Sequence, residues 1–215
     1  MGAFGAMIGK VFFGITVVLF CLGIVVAGNH YGAADTSPNA SAHVKVQLES
    51  GHGSATHIGN GYFLTAAHVV TDNEIVELKS DDGKTFDATV LWVNAKYDIA
   101  LMYVAETKVA SVDVECRTPG HSEDLSLRGN PLNAENITTW GKVAGSIREI
   151  GPWLSVIPVN AAIAPGMSGG GVFDEDGELV GVNVGVMVMP VGFAGGPVSL
   201  AYVVPAETVC YLMGK

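Results

Sequence analysis

The sequence predicts an all-β barrel fold finished by one short helix, set behind an apolar N-terminal segment and a tether. Two patterns carry that expectation. From residue 43 onward, short alternating or continuous apolar runs recur at regular spacing between clusters of Gly, Pro, Asn and Asp. Beyond the tether only one stretch, residues 205–212, reads convincingly as a helix, with Pro205 at its start, where a missing N–H costs nothing.

The chain opens with a short, small and apolar segment, residues 1–10, in which Lys10 is the only charged side chain before Asp35. Residues 11–28 form a run of eighteen apolar residues broken only by Thr16, close to the roughly 20 that span a bilayer as a helix. Two readings stand: a cleaved signal peptide ending near Val25-Val26-Ala27, or an uncleaved signal anchor. The run is longer than the usual hydrophobic region of a signal peptide, roughly 7–15 residues, which favours a transmembrane anchor. A buried core helix would show a polar face. With Lys10 before the run and no Lys or Arg after it until Lys45, the N-terminus is expected in the cytoplasm and the rest outside. If the segment is cleaved, the protein is secreted. Residues 29–41, rich in Ala, Ser, Asn, Gly and Pro, read as a flexible tether.

From 42 to 215 the chain is expected to be one domain. "HVKVQLE" at residue 43 alternates apolar and polar residues, as a half-buried strand does. "GSATHIGNGYFLT" reads as a hairpin and "EIVELK" as the next strand. A turn at Asp81-Asp82-Gly83 precedes "FDATVLWV", and "YDIALMYVA" is apolar enough for a buried strand. These strands are expected to form one sheet closed on itself, ending near Glu106. Residues 107–130, with Pro119-Gly120 inside them, read as a crossover between two halves. "NITTWGKVAGSIREI" and "WLSVIPV" read as a hairpin around Gly151-Pro152, followed later by the strands "ELVGVNVGVMVMPV" and "VSLAYVVP".

Between the second hairpin and those last strands lies Pro165-Gly166-Met167-Ser168-Gly169-Gly170-Gly171, one serine among four glycines. Glycine at that density weakens regular structure and is wanted for backbone reasons. One such reason is to aim two N–H groups at a point beside an exposed hydroxyl, as a serine hydrolase requires. The G-x-S-x-G pattern also fits the nucleophile elbow of α/β-hydrolases, but there the histidine follows the serine, and the last histidine here is His121. The order His, Asp, Ser remains. His68 lies in "FLTAAHVV", and Asp98, in "YDIALMYV", is the only aspartate between His68 and Ser168 flanked by a strongly apolar run.

These three motifs, in this order, resemble those of trypsin-like serine proteases over residues 42–214. Within that family, "VNAAIAPGMSGGGVFDEDGELVGVN", "GNP" at 129–131 and "LAYVVP" at 200–205 are similar to the protease domain of the HtrA/Deg group. The resemblance implies two six-stranded barrels of chymotrypsin type, with His68, Asp98 and Ser168 as a triad in the cleft between them. It implies an oxyanion hole made by the N–H groups of Gly166 and Ser168. The substrate pocket would be walled by Ala162 and its neighbours Ala161 and Ile163, by Val184, Gly185 and Val186, and by Leu200, Ala201 and Tyr202. None is charged, so small or medium apolar side chains are expected before the scissile bond. Substrates are proteins or peptides, and homo-oligomers fit the family, whose members often form trimers. Two departures stand out. No PDZ domain follows before Lys215, and Met167 occupies the place of the aspartate that pairs with the new N-terminus of a cleaved trypsin zymogen. Activation by N-terminal insertion is therefore not expected.

Composition narrows the alternatives. A net charge of -10 without any basic cluster argues against nucleic acid as a partner. No His/Cys cluster suggests a metal, and no cofactor is called for. Cys116 and Cys210 either pair or stay free. His52 and His57 read as turn or surface residues, and Trp92, Trp140 and Trp153 as packing. Other functional classes are an inactive, membrane-anchored binding module on a protease scaffold, an esterase on the same fold and a purely structural membrane protein. Only the last leaves three ordered motifs unexplained.

Overall fold

A computed structural model of the chain describes residues 42–189 and 198–215, all within one compact unit. The apolar run at 11–28 and the tether at 29–41 lie outside the described residues. Among the described residues no helix is long and apolar enough to cross a membrane.

The first half is a closed six-stranded antiparallel barrel. Its strands are β1 (His43–Leu48), β2 (Gly51–His57), β3 (Tyr62–Thr65), β4 (Ile75–Ser80), β5 (Thr85–Asn94) and β6 (Ile99–Tyr103), joined in the order β1-β2-β3-β6-β5-β4 with β4 returning to β1. The alternation in β1 does what a period of two dictates: Val44 and Val46 are fully buried while Lys45 and Gln47 stand half out. Between β3 and β4 the chain makes one helical turn, α1 (Ala67–Val70), where the sequence showed only a small-residue turn.

The second half is a seven-stranded sheet of β7 (Asp124–Gly129), β8 (Ile137–Val143), β9 (Arg148–Ile150), β10 (Trp153–Asn160), β11 (Gly171–Phe173), β12 (Leu179–Met189) and β13 (Val198–Pro205). The order is β13-β12-β11-β7-β8-β10-β9, and β13 also pairs with β10, so the sheet curls back on itself with β9 hanging from β10. The expected pair of six-stranded barrels is thus met as one closed barrel and one seven-stranded curled sheet. β7 lies inside the stretch read as crossover. Its alternation is real, with Leu125 and Leu127 buried, but only six residues long and flanked by polar ones. The final helix, α2 (Ala206–Met213), starts after Pro205 and ends at Gly214 in the left-handed region.

Cys116 and Cys210 form a disulfide, with Cα atoms 5.8 Å apart across a sequence separation of 94. It ties the crossover to α2. The crossover is also fastened to the first barrel by His57, which is buried at 5% exposure. Its Nδ1 faces the carbonyls of Val109 and Ala110, at 2.9 and 3.0 Å, and its Nε2 accepts from the N–H of Gly61. His57 is therefore a buried structural clamp, where the sequence reads as a turn or surface residue.

Candidate active site

His68 sits on α1, whose free N–H groups need acceptors. Asp98, in the turn between β5 and β6, supplies them: its carbonyl accepts from Ala67 N–H (3.1 Å) and its Oδ1 from His68 N–H (2.9 Å). Asp98 holds a left-handed backbone, φ 57°, unusual for a residue with a side chain. In that pose its Oδ2 meets His68 Nδ1 at 2.7 Å. The carboxylate is 8% exposed and the imidazole 49%. A second donor reaches the same oxygen, the indole Nε1 of Trp153 at 2.9 Å.

Ser168 lies in the loop between β10 and β11, and its backbone is held from behind. Ala164 C=O accepts from Met167 N–H, and Pro165 C=O from Leu132 N–H. Gly166 C=O accepts from the hydroxyl of Ser54 at 2.8 Å, and Ser168 C=O from the N–H of the same residue at 2.8 Å. Met167 C=O accepts from Gly170 N–H and Asn183 Nδ2. Five successive carbonyls thus have donors, whereas the N–H groups of Gly166 and Ser168 meet no acceptor among the described residues. Because a peptide unit is planar and trans, tying the Pro165 carbonyl to Leu132 aims the Gly166 N–H the opposite way. Gly166 has φ 98°, and a Cβ there would collide with the Asn130 carbonyl and His52. Met167 is buried in the apolar core of the second sheet. It anchors the loop by burial where a carboxylate would need an ionic partner.

Behind the loop runs a buried polar chain. Ser54 Oγ accepts from Asn130 N–H (3.0 Å) and Nδ2 (3.2 Å), and Asn130 Nδ2 also faces His43 Nε2 at 3.1 Å. Asn130 Oδ1 takes the Asn136 N–H, which fixes the amide's orientation and makes His43 Nε2 an acceptor. The imidazole of His43 is therefore neutral. Burial, aided by the Arg128 charge, pushes its pKa down to about 3. His52 Nε2 donates to the Asn130 carbonyl at 2.8 Å.

His68, Asp98, Trp153 and Ser168 line a common cavity of about 640 Å³, together with Val184, Gly185 and Val186. Of the other residues expected to wall a substrate pocket, Ala162 is exposed, Leu200 half-buried, and Ala201 and Tyr202 buried. None of these four lines this cavity. Among the described residues, no three His, Cys, Asp or Glu side chains converge as a metal site would require.

Ser54, Asn130 and Trp153 have no role in the sequence reading beyond a motif match for Asn130 and packing for Trp153. The bonds that tie them to the site span 55 to 112 positions, and no local period announces such bonds. The "GNP" string was the one available signal.

The chain's likenesses agree with this geometry. A model of the trypsin-like peptidase domain matches residues 53–182. The probable periplasmic serine endoprotease DegP-like of Brucella suis is 30% identical over 159 residues, which cover 69% of this chain and 29% of that protein. The chain thus spans less than a third of that relative's length. Among solved structures, the HtrA-type protease AlgW with a tripeptide superposes with a TM-score of 0.72 at 23% identity, over 83% of this chain and 60% of that one. The serine endoprotease of Yersinia pestis gives a TM-score of 0.66 at 23% identity, over 84% and 66%. Fold, motif order and family match lead to one conclusion: the chain belongs to the trypsin-like peptidase domain family, on the HtrA-like side of it.

Proposed function

We propose that residues 42–215 are a serine endopeptidase domain that cleaves protein or peptide substrates through an acyl-enzyme. The observation that carries the reading is the loop at 164–168. All five of its carbonyls have donors, and the N–H groups of Gly166 and Ser168 are left without acceptors among the described residues. In the proposed reaction Ser168 Oγ attacks the scissile carbonyl. His68 takes its proton through Nε2, since Nδ1 is engaged by Asp98, and later gives it to the leaving amine. Asp98 holds the tautomer and stabilises the imidazolium. The N–H groups of Gly166 and Ser168 receive the oxyanion.

Val184, Gly185 and Val186, the part of the expected wall that lines the cavity, are uncharged and support a preference for small or medium apolar side chains before the scissile bond. We place the domain on the extracytoplasmic side, held by residues 11–28 as an anchor. The test is reaction of the full chain with a fluorophosphonate, read by intact mass beside Ser168→Ala. One adduct on the wild type and none on the variant is expected. A folded wild type that takes no adduct would favour the inactive binding module instead.

A further inference from the structure

We propose that Trp153 is a positioning residue for the His68–Asp98 pair and that the same indole is the specificity-determining wall of the cavity beside His68, an inference that rests on the reading of His68, Asp98 and Ser168 as the reacting set.

Asp98 receives three N–H groups on its side chain: the backbone and ring of His68, and the indole of Trp153. Two of them share Oδ2. With the carboxylate only 8% exposed, water has little access to replace a lost donor, so the indole fixes the rotation of the carboxylate about its Cβ–Cγ bond. That rotation sets the direction in which Oδ2 faces Nδ1, and hence the direction of the ring.

The indole is itself rigidly held. It packs on Tyr202 with ring centroids 5.5 Å apart. Its six-membered edge lies over Gly185, where a Cβ would sit 2.6 Å from Cη2 and Cζ2; glycine is the residue that lets the indole approach β12 this closely. The next residue, Leu154, donates its N–H to the Lys96 carbonyl, two positions before Asp98. Trp153 thus belongs to β10 of the second sheet yet grips the turn of the first barrel that carries the acid.

The same ring lines the cavity with Val93, Ala95, Pro152 and Val184. These surfaces are apolar and rigid. The chemistry they select is an apolar side chain of a peptide substrate lying next to His68. An anionic side chain there would lose its water against the indole and face the Asp72 carboxylate, which also lines the cavity.

The test uses the full chain, a peptide series varied at the position that contacts the cavity, and the variants Trp153→Phe and Trp153→Ala. Phenylalanine keeps much of the wall and removes the donor. For Trp153→Phe we expect kcat lower by about 10- to 100-fold, as for a hydrogen bond to a charged group, with KM and the order of substrate preference kept. For Trp153→Ala we expect the same loss of kcat and, in addition, a flattened preference for apolar side chains. Wild-type kcat in Trp153→Phe, or unchanged selectivity in Trp153→Ala, overturns the proposal. Should either variant fail to fold, the indole N–H of the wild type is followed by NMR during titration with a peptide boronate. A slowly exchanging resonance that shifts on binding is expected, and a rapidly exchanging one that does not move overturns the proposal. Wild-type reaction with fluorophosphonate is measured alongside. If it is absent, the endopeptidase reading falls and this inference with it; if it is present, a negative result counts against Trp153 alone.

Discussion

Replacing Ser54 by Ala removes one oxygen from behind the loop at 164–168, and the structure limits how much that can cost. The hydroxyl is the donor to the Gly166 carbonyl and the acceptor for Asn130 N–H. Asn130 is 1% exposed, so its orphaned N–H cannot turn to water, while Gly166 is half-buried. Leaving the two groups unpaired should lower stability by about 1–3 kcal/mol. Catalysis is a separate matter. The carbonyls of Ala164, Pro165, Met167 and Ser168 keep their donors, the last through the Ser54 N–H, which survives the substitution. The loop therefore loses one neutral tether worth about 0.5–1.5 kcal/mol, which caps the rise in population of misaligned loop at a factor of roughly 2–10. That is far below the roughly 10²–10³ that follows removal of an oxyanion donor. We expect kcat/KM to fall by about 2- to 10-fold, and the inhibition constant of a peptide boronate to rise by the same factor. KM and the binding of a substrate-like product should stay within about two-fold, because the tether touches only the developing anion's site. Urea unfolding gives the stability term. A loss of 10²-fold or more in a folded variant, or no loss at all, would refute the tether argument.

Two further outcomes follow from buried features. His43 is neutral in the fold, with its pKa held down to about 3 from 6.5. The unfolded chain therefore binds the extra proton first, and the contribution of His43 is fully present above pH 6.5 and lost as pH falls toward about 3, in total several kcal/mol. Urea melts across that range should show the stability difference between wild type and His43→Gln shrinking with acid; a difference independent of pH would contradict the neutral, buried assignment. Reducing the Cys116–Cys210 disulfide, which closes a loop of sequence separation 94, should lower stability by about 2–5 kcal/mol. It should lower Tm by roughly 5–15 °C, read by calorimetry with and without reductant; an unchanged Tm would show that the staple carries no stability.

What the sequence disclosed follows the physics of locality. The strands of the first barrel are visible because each carries a local signal, a period of two in β1 and β4 and a continuous apolar run in β6. His68, Asp98 and Ser168 are visible because each sits in a short string whose apolar flanks and small residues are needed to present it. The contributions of Ser54 and Trp153 are different in kind. Each is a single polar atom whose partner lies far along the chain, and the same residue types would serve equally well as a turn serine or a core indole. His57 misleads for the same reason: between "GSAT" and "IGN" it looks like a turn residue, and only the arrival of Val109 and Ala110 makes it a clamp. β7 is missed because six alternating residues inside a polar stretch fall below what a pattern can carry.

The clamp made by His57 has a bearing on how this molecule breathes. The segment joining the two halves is where a two-part enzyme would be expected to flex. Here two of its carbonyls rest on a buried imidazole, and its Val112 N–H is donated to the His57 carbonyl. The start of the joint is consequently part of the first barrel's own cooperative unit. Its amide hydrogens should exchange with solvent only as slowly as that barrel opens, and a protease searching for a nick will find the exposed turns first.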